Sequence, residues 1–201
     1  MKKFSALLLT LLVICTLPLS ASAYENEDYY SGLEGSVINV FNWGEYIADG
    51  VDGSLDAIEV FEELTGISVN YDNFESNETM YSKIKSGAVS YDIIIPSDYM
   101  IQRLKDEGML SKLDFSQIPN YKYIDNKYKD LYFDKKNEYS VPYTVGMTGL
   151  IYNSKMVEGK VDSWEIMWDE KYSGEILTFN NSRDGFSIAQ FLLGISVNST
   201  N

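Results

Sequence analysis

Asp92-Ile93-Ile94-Ile95-Pro96 is the stretch that decides the fold class. Its apolar residues run on without alternation and stop at a proline. That pattern predicts a short strand buried on both faces, as in a parallel sheet covered by helices. The flanking sequence supplies the helices. Upstream, Val37 to Phe41 reads as a first strand. Ser54 then caps a predicted helix with apolar positions Leu55, Ile58, Phe61 and Leu64, ending at Gly66. Ile67 to Tyr71 reads as a second strand, and Asn77 caps a helix carrying Met80 and Ile84, stopped by Gly87. Downstream of the central stretch, a helix with Ile101 and Leu104 runs to Gly108. Strands alternating with helices predict an α/β fold around a mainly parallel sheet.

Ligands of such sheets sit at the carboxyl ends of the strands. Two segments occupy those ends: Trp43-Gly44-Glu45-Tyr46 and Ser97-Asp98-Tyr99. The first has the parts of a cation site. Trp43 and Tyr46 can wall an alkyl chain and face an ammonium group, and the Glu45 carboxylate can neutralise it. Pro-Ser-Asp is also ordinary turn chemistry, so Ser97 and Tyr99 have a second, purely local reading.

The first residues predict export. Lys2 and Lys3 form a positive n-region, Ala6 to Cys15 is almost wholly apolar, Pro18 breaks the run, and Ala21-Ser22-Ala23 offers small residues for cleavage. Residues 1–23 are therefore expected to be a signal peptide, and the mature chain secreted or periplasmic from Tyr24. Cys15 follows Leu12-Val13-Ile14, not a small residue, which argues against lipidation. With the leader goes the only cysteine, so disulfides and thiol chemistry are excluded. The polar residues 24–35 read as a linker.

The chain has 16 basic and 30 acidic residues, a net charge of −14, and loses two more positive charges with the leader. This disfavours nucleic acid and favours cations through the long-range field. There is no histidine, which removes the usual general base and most metal sites. Asp49, Asp52 and Asp56 do not have the spacing of a calcium-binding EF loop, and there is no Gly-rich phosphate loop. No cofactor or metal is expected.

The second half is less regular. Asp114 to Glu138 is loop-like. Gly146 to Asn153 holds a strand-like apolar segment between glycines, which suits a crossover between lobes. Trp164 and Trp168, four residues apart on a short helix, read as core. A strand over Glu175 to Phe179 and a helix around Phe186 to Leu193 complete the expectation.

Several of these runs together resemble one family. They are Asn42-Trp43-Gly44-Glu45-Tyr46, Phe74-Glu75-Ser76-Asn77-Glu78-Thr79-Met80-Tyr81, Asp92 to Tyr99, Tyr139-Ser140-Val141-Pro142-Tyr143, Trp164 to Gly174, and Asn180-Asn181-Ser182-Arg183-Asp184-Gly185-Phe186. The chain resembles the N-terminal part of the bacterial polyamine-binding proteins, the extracytoplasmic receptors of spermidine/putrescine ABC importers. The resemblance implies a two-lobed periplasmic-binding fold of type II with mainly parallel sheets, C-terminally truncated. Residues 36–144 would form the first lobe and 145–201 the incomplete start of the second. It implies a polyamine ligand, and the membrane permease subunits of an ABC transporter as partners.

The resemblance also implies the site. Trp43 and Tyr46 would be aromatic walls, Glu45 would meet one ammonium, and Ser97 and Tyr99 would line the pocket. In the second lobe the family has two carboxylates around an arginine. Here Asp184 fills the second position, one methylene shorter than the usual glutamate, and uncharged Asn181 fills the first. Asp184 has another reading as a helix cap, and Arg183 as the group that orients Asp184. Glu75 and Glu78 read as helix-start residues. The departure at Asn181 leaves a different cationic solute as an alternative ligand. An exported glycoside hydrolase built on a carboxylate pair is the alternative of another class. A chain ending at Asn201 is expected to bind weakly and to unfold with low cooperativity, because the family's continuation completes both lobes.

Overall fold

The computed structural model describes residues 30–197. The predicted leader, Cys15 and the linker up to residue 29 lie outside the described residues.

Strand β1 (Val37–Trp43) is the centre of a three-stranded parallel sheet. β2 (Ser68–Phe74) pairs along its whole length, from Val37↔Ser68 to Trp43↔Phe74. β3 (Ile93–Ile94) pairs on the other side, with Val40↔Ile93 and Phe41↔Ile94. Directly paired residues of parallel strands share a face, and successive residues alternate. Phe41, Trp43, Phe74 and Ile94 therefore lie on one side of the sheet. Ile93 lies on the other and is 49% exposed, which corrects the expectation of a strand buried on both faces. β3 is an edge strand of the described sheet, and only Ile94 packs against the core.

Helices α2 (Asn77–Lys85) and α3 (Asp98–Asp106) cover the Phe41 face. Met80 and Tyr81 from α2 and Met100 and Leu104 from α3 close over Phe41 and Phe74. The Met100–Leu104 spacing of four puts both side chains on one helical face. Phe41 meets Phe74 edge-on with ring centroids 5.0 Å apart and stacks on Tyr91 at 4.4 Å. Both are favourable aromatic geometries.

Helix α1 (Ala57–Thr65) packs beside β2, and its Glu62 carboxylate accepts the Val69 N–H at 2.6 Å. Its cap is Asp56, which accepts from Ile58 N and Glu59 N, and not the expected Ser54. For α2 the cap is Ser76, one residue before the expected Asn77. The predicted stop at Gly66 holds. That residue has φ +67°, and an added Cβ would come within 3.3 Å of Glu34. Glu34 belongs to the stretch expected as a linker. Residues 30–35 instead turn back on the domain, with Gly35 N donating to Gly66 O and the Tyr30 ring edge-on to Phe61.

After α3 the chain is mostly irregular, as expected for the Tyr- and Lys-rich stretch. Short 3-10 turns occupy Phe115–Gln117, Pro119–Tyr123 and Asn126–Tyr128. Buried Asp134 organises the loop by accepting from Glu138 N, Tyr139 N and Ser140 Oγ. Lys105 Nζ donates to Phe133 O and ties the loop to α3.

Two expected strands are absent. Neither Gly146 to Asn153 nor Glu175 to Phe179 joins a ladder. Met147, Ile151 and Leu177 are 95–100% exposed. A strand needs a neighbour for its backbone N–H and C=O groups, and no described segment supplies one. Helix α4 (Ser182–Leu193) does form, from the Asn181 cap to left-handed Gly194. The two tryptophans do not pack as a pair. Trp164–Trp168 is a 3-10 turn, with three residues per turn, so a spacing of four sends the rings in different directions. Trp164 stacks on Phe191 with centroids 5.4 Å apart, while Trp168 is largely exposed.

Candidate functional site

β1, β2 and β3 end at the same edge of the sheet, and the expected first-lobe site residues emerge there. At the end of β1, buried Asn42 turns its Oδ1 onto Trp43 N at 2.8 Å. The Trp43 indole rests on Phe74 at 4.6 Å, so one face of the ring belongs to the core. Its neighbour is the exposed Tyr46 ring, edge-on at 6.2 Å. The Tyr143 hydroxyl donates to Tyr46 O and pins this turn from the 141–143 segment. Glu45, between the two in sequence, is exposed, and no hydrogen bond or ion pair with a described residue engages its carboxylate. The turn after β1 thus carries an edge-on aromatic pair and an exposed carboxylate, residue types that can engage a cation on an alkyl chain.

At the end of β3, Ser97 is the residue before α3, but its hydroxyl does not cap that helix. It accepts instead from the side-chain amide of Asn77, at 2.9 Å. The same amide nitrogen lies 2.9 Å from the Tyr99 hydroxyl, and Asn77 Oδ1 accepts from Ser97 N at 3.0 Å. The Tyr99 hydroxyl also reaches Glu78 Oε1, at 3.2 Å. Burial, reinforced by the adjacent Glu78 carboxylate, pushes the Tyr99 phenol up to about 12. The Tyr132 hydroxyl donates to Asp98, the residue before Tyr99 in sequence, and burial raises that phenol to about 12 as well.

The N-terminal end of α4 meets this wall. Ser182 Oγ donates to Glu78 Oε1 at 3.3 Å, and the Arg183 guanidinium lies 4.5 Å from the centre of the Tyr99 ring. Arg183 therefore stacks on Tyr99, where the sequence suggested that it orients Asp184. Asn181 caps α4 by accepting from Arg183 N at 3.1 Å. Asp184 sits in the first helical turn, half-buried, and burial holds its carboxyl above the usual aspartate range. It is not the cap, which disposes of that reading. Ser97, Tyr99 and the first turn of α4 are thus brought together, with Trp43, Glu45 and Tyr46 on the same edge of the sheet.

The sequence reading missed Asn77 as an organiser, Glu78 as more than a helix-start residue, and Tyr143 as the pin of the Tyr46 turn. The Glu75-Ser76-Asn77-Glu78 run was conspicuous, but its partners are about twenty residues or more away along the chain.

The described residues thus form a parallel sheet with aromatic and polar side chains at its carboxyl edge, met by a helix from further along the chain. The sequence family described as bacterial extracellular solute-binding protein matches residues 56–201. The chain belongs to that family. It is 36% identical over 204 residues to the spermidine/putrescine-binding periplasmic protein of Escherichia coli strain K12, covering 100% of this chain and 54% of the relative. Among solved structures it is similar to the spermidine/putrescine ABC transporter substrate-binding protein PotD of Streptococcus pneumoniae, with TM-score 0.65 and 38% identity. It is similar also to the TpPotD lipoprotein of Treponema pallidum, with TM-score 0.73 and 31% identity. Each alignment covers 83% of this chain and 50% of the other. The chain thus spans about half the length of the relatives it matches.

Proposed function

We propose that this chain belongs to an extracytoplasmic receptor that binds polyamines, spermidine or putrescine, and delivers them to the membrane permease subunits of an ABC importer. The observation that carries the reading is the edge-on Trp43 and Tyr46 ring pair at the carboxyl end of the central strand, in a turn that also exposes the Glu45 carboxylate. A polyamine is a row of ammonium groups separated by methylenes. Its chain suits the aromatic walls and its charges suit carboxylates. Each desolvated cation–ring contact contributes about 2 kcal/mol, and each charged hydrogen bond about 1.5–3 kcal/mol. In this reading Glu45 meets one ammonium, Ser97 and Tyr99 line the middle of the site, and Asp184 supplies a second carboxylate. Asn181 contributes through the turn that it caps.

The polyamine-binding relatives and the exported character of the sequence support the reading, with residues 1–23 as the leader and 36–144 and 145–201 contributing to two lobes. It is a binding function, with no catalytic residue and no cofactor. The test is calorimetric titration of the chain with spermidine and putrescine, beside uncharged sugars and dicarboxylates. Saturable heat with the polyamines alone supports it. Saturable binding of a sugar or an anion, with none for either polyamine, rejects it.

A further inference from the structure

Asn77 is fully buried at the first position of α2 and spends its whole side chain on two residues of another element. The Ser97 backbone N–H can only donate, so the atom 3.0 Å from it must be Asn77 Oδ1. The amide nitrogen then faces Ser97 Oγ and the Tyr99 hydroxyl, both at 2.9 Å, with one N–H for each. This fixes the Tyr99 hydroxyl. It accepts from Asn77, so its own proton is left for the Glu78 carboxylate at 3.2 Å, which can only accept. With that proton spent, the hydroxyl has no donor left, and any further hydrogen bond at its oxygen is one that it accepts.

We infer that Asn77 and Glu78 are positioning residues that turn the Tyr99 hydroxyl into an obligate acceptor, so that this wall reads N–H donors and rejects ligands that present acceptors. Glu78 has a second connection. Ser182, the first residue of α4, donates to the same Oε1 atom. One exposed carboxylate therefore sets the polarity of a site tyrosine and meets the helix that brings Asp184. An ammonium group, with donors and no acceptor, is the head group such a wall selects. The choice of head group rests on the polyamine reading above. The hydrogen-bond polarity does not.

The test uses Glu78→Ala, which removes the acceptor altogether, because Glu78 is exposed whereas replacing buried Asn77 endangers the fold. The full chain is prepared with isotopically labelled tyrosine, and the Tyr99 Cζ resonance is assigned by its loss in Tyr99→Phe. Without a side-chain acceptor to receive the proton, the Tyr99 Cζ resonance is expected to shift in Glu78→Ala while the other tyrosines stay in place. An unmoved Tyr99 resonance overturns the inference. Spermidine affinity is then measured in a double-mutant cycle. Glu78→Ala is expected to weaken binding by about fivefold when Tyr99 is present, and by less than about twofold in the Tyr99→Phe background. Equal losses in both backgrounds would show that Glu78 does not act through Tyr99. If the parent chain binds no spermidine, the polyamine reading fails, and the labelled spectrum alone decides the positioning role.

Discussion

Glu45 and Asp184 are the two carboxylates on which the cation reading depends, and they stand in opposite surroundings. Glu45 is exposed in the turn that carries Trp43 and Tyr46, whereas Asp184 is half-buried, with its carboxyl raised by desolvation. Glu45→Gln keeps the shape and removes the charge. It should weaken spermidine binding by more than about tenfold, the loss of one charged hydrogen bond, with an unchanged far-UV spectrum. For Asp184 the sign is fixed by the raised value. The fold favours its neutral form, so its contribution to stability is full below the unfolded pKa and is lost as pH rises through the folded pKa. Asp184→Asn should therefore unfold at higher urea concentration than the parent at neutral pH, yet bind spermidine more weakly. The parent's affinity should also fall as pH is lowered into the range, above the ordinary aspartate value, where Asp184 takes up a proton. A variant that lost stability and affinity together would identify Asp184 as structural.

The elements of the first half were largely legible in the sequence because their signals are local. Gly66, Gly87 and Gly108 punctuate the helices, and each has a positive φ. The caps moved by a residue or two because Ser54 and Asp56, or Ser76 and Asn77, are both good capping types. The sheet joins segments far apart in sequence, and there the reading fared worse. It gave Ile93 a buried face because a continuous apolar run does not say whether a strand is central or at an edge. The Asn77–Ser97–Tyr99 arrangement was beyond a local reading for the same reason. Phe41→Ala, at the centre of the core, should cost about 3–5 kcal/mol in urea unfolding. Glu107 holds the ends of α2 and α3 together. Lys85 first, then Tyr81 and Arg103, depress its carboxyl from 4.5 to about 2. The contribution of this group is present above its unfolded pKa and disappears as pH falls through about 2. Glu107→Gln should thus flatten the stability profile across that acid window, which pH-dependent urea melts can measure.

At the scale of the molecule, the two halves differ in how well they are packed. The described core lies in residues 41–104. Beyond it, Met147, Ile151 and Leu177 stand almost fully exposed, and no described ladder holds residues 146–153 or 175–179. Hydrogen exchange should therefore be slow in β1, α2 and α3 and fast from residue 144 to 181, with α4 between the two. Equal protection in both stretches would contradict this division. The chain spans about half the length of its relatives, so the affinity of the whole receptor is a separate quantity from that of these residues. The central claim, that the aromatic and carboxylate edge of this sheet takes a polyamine, is tested most directly by isothermal titration of the chain with spermidine, in parallel with Glu45→Gln. We expect saturable binding to the parent that weakens by more than about tenfold in the variant. Undiminished spermidine binding by Glu45→Gln, or saturable binding of an uncharged sugar in its place, would contradict the account.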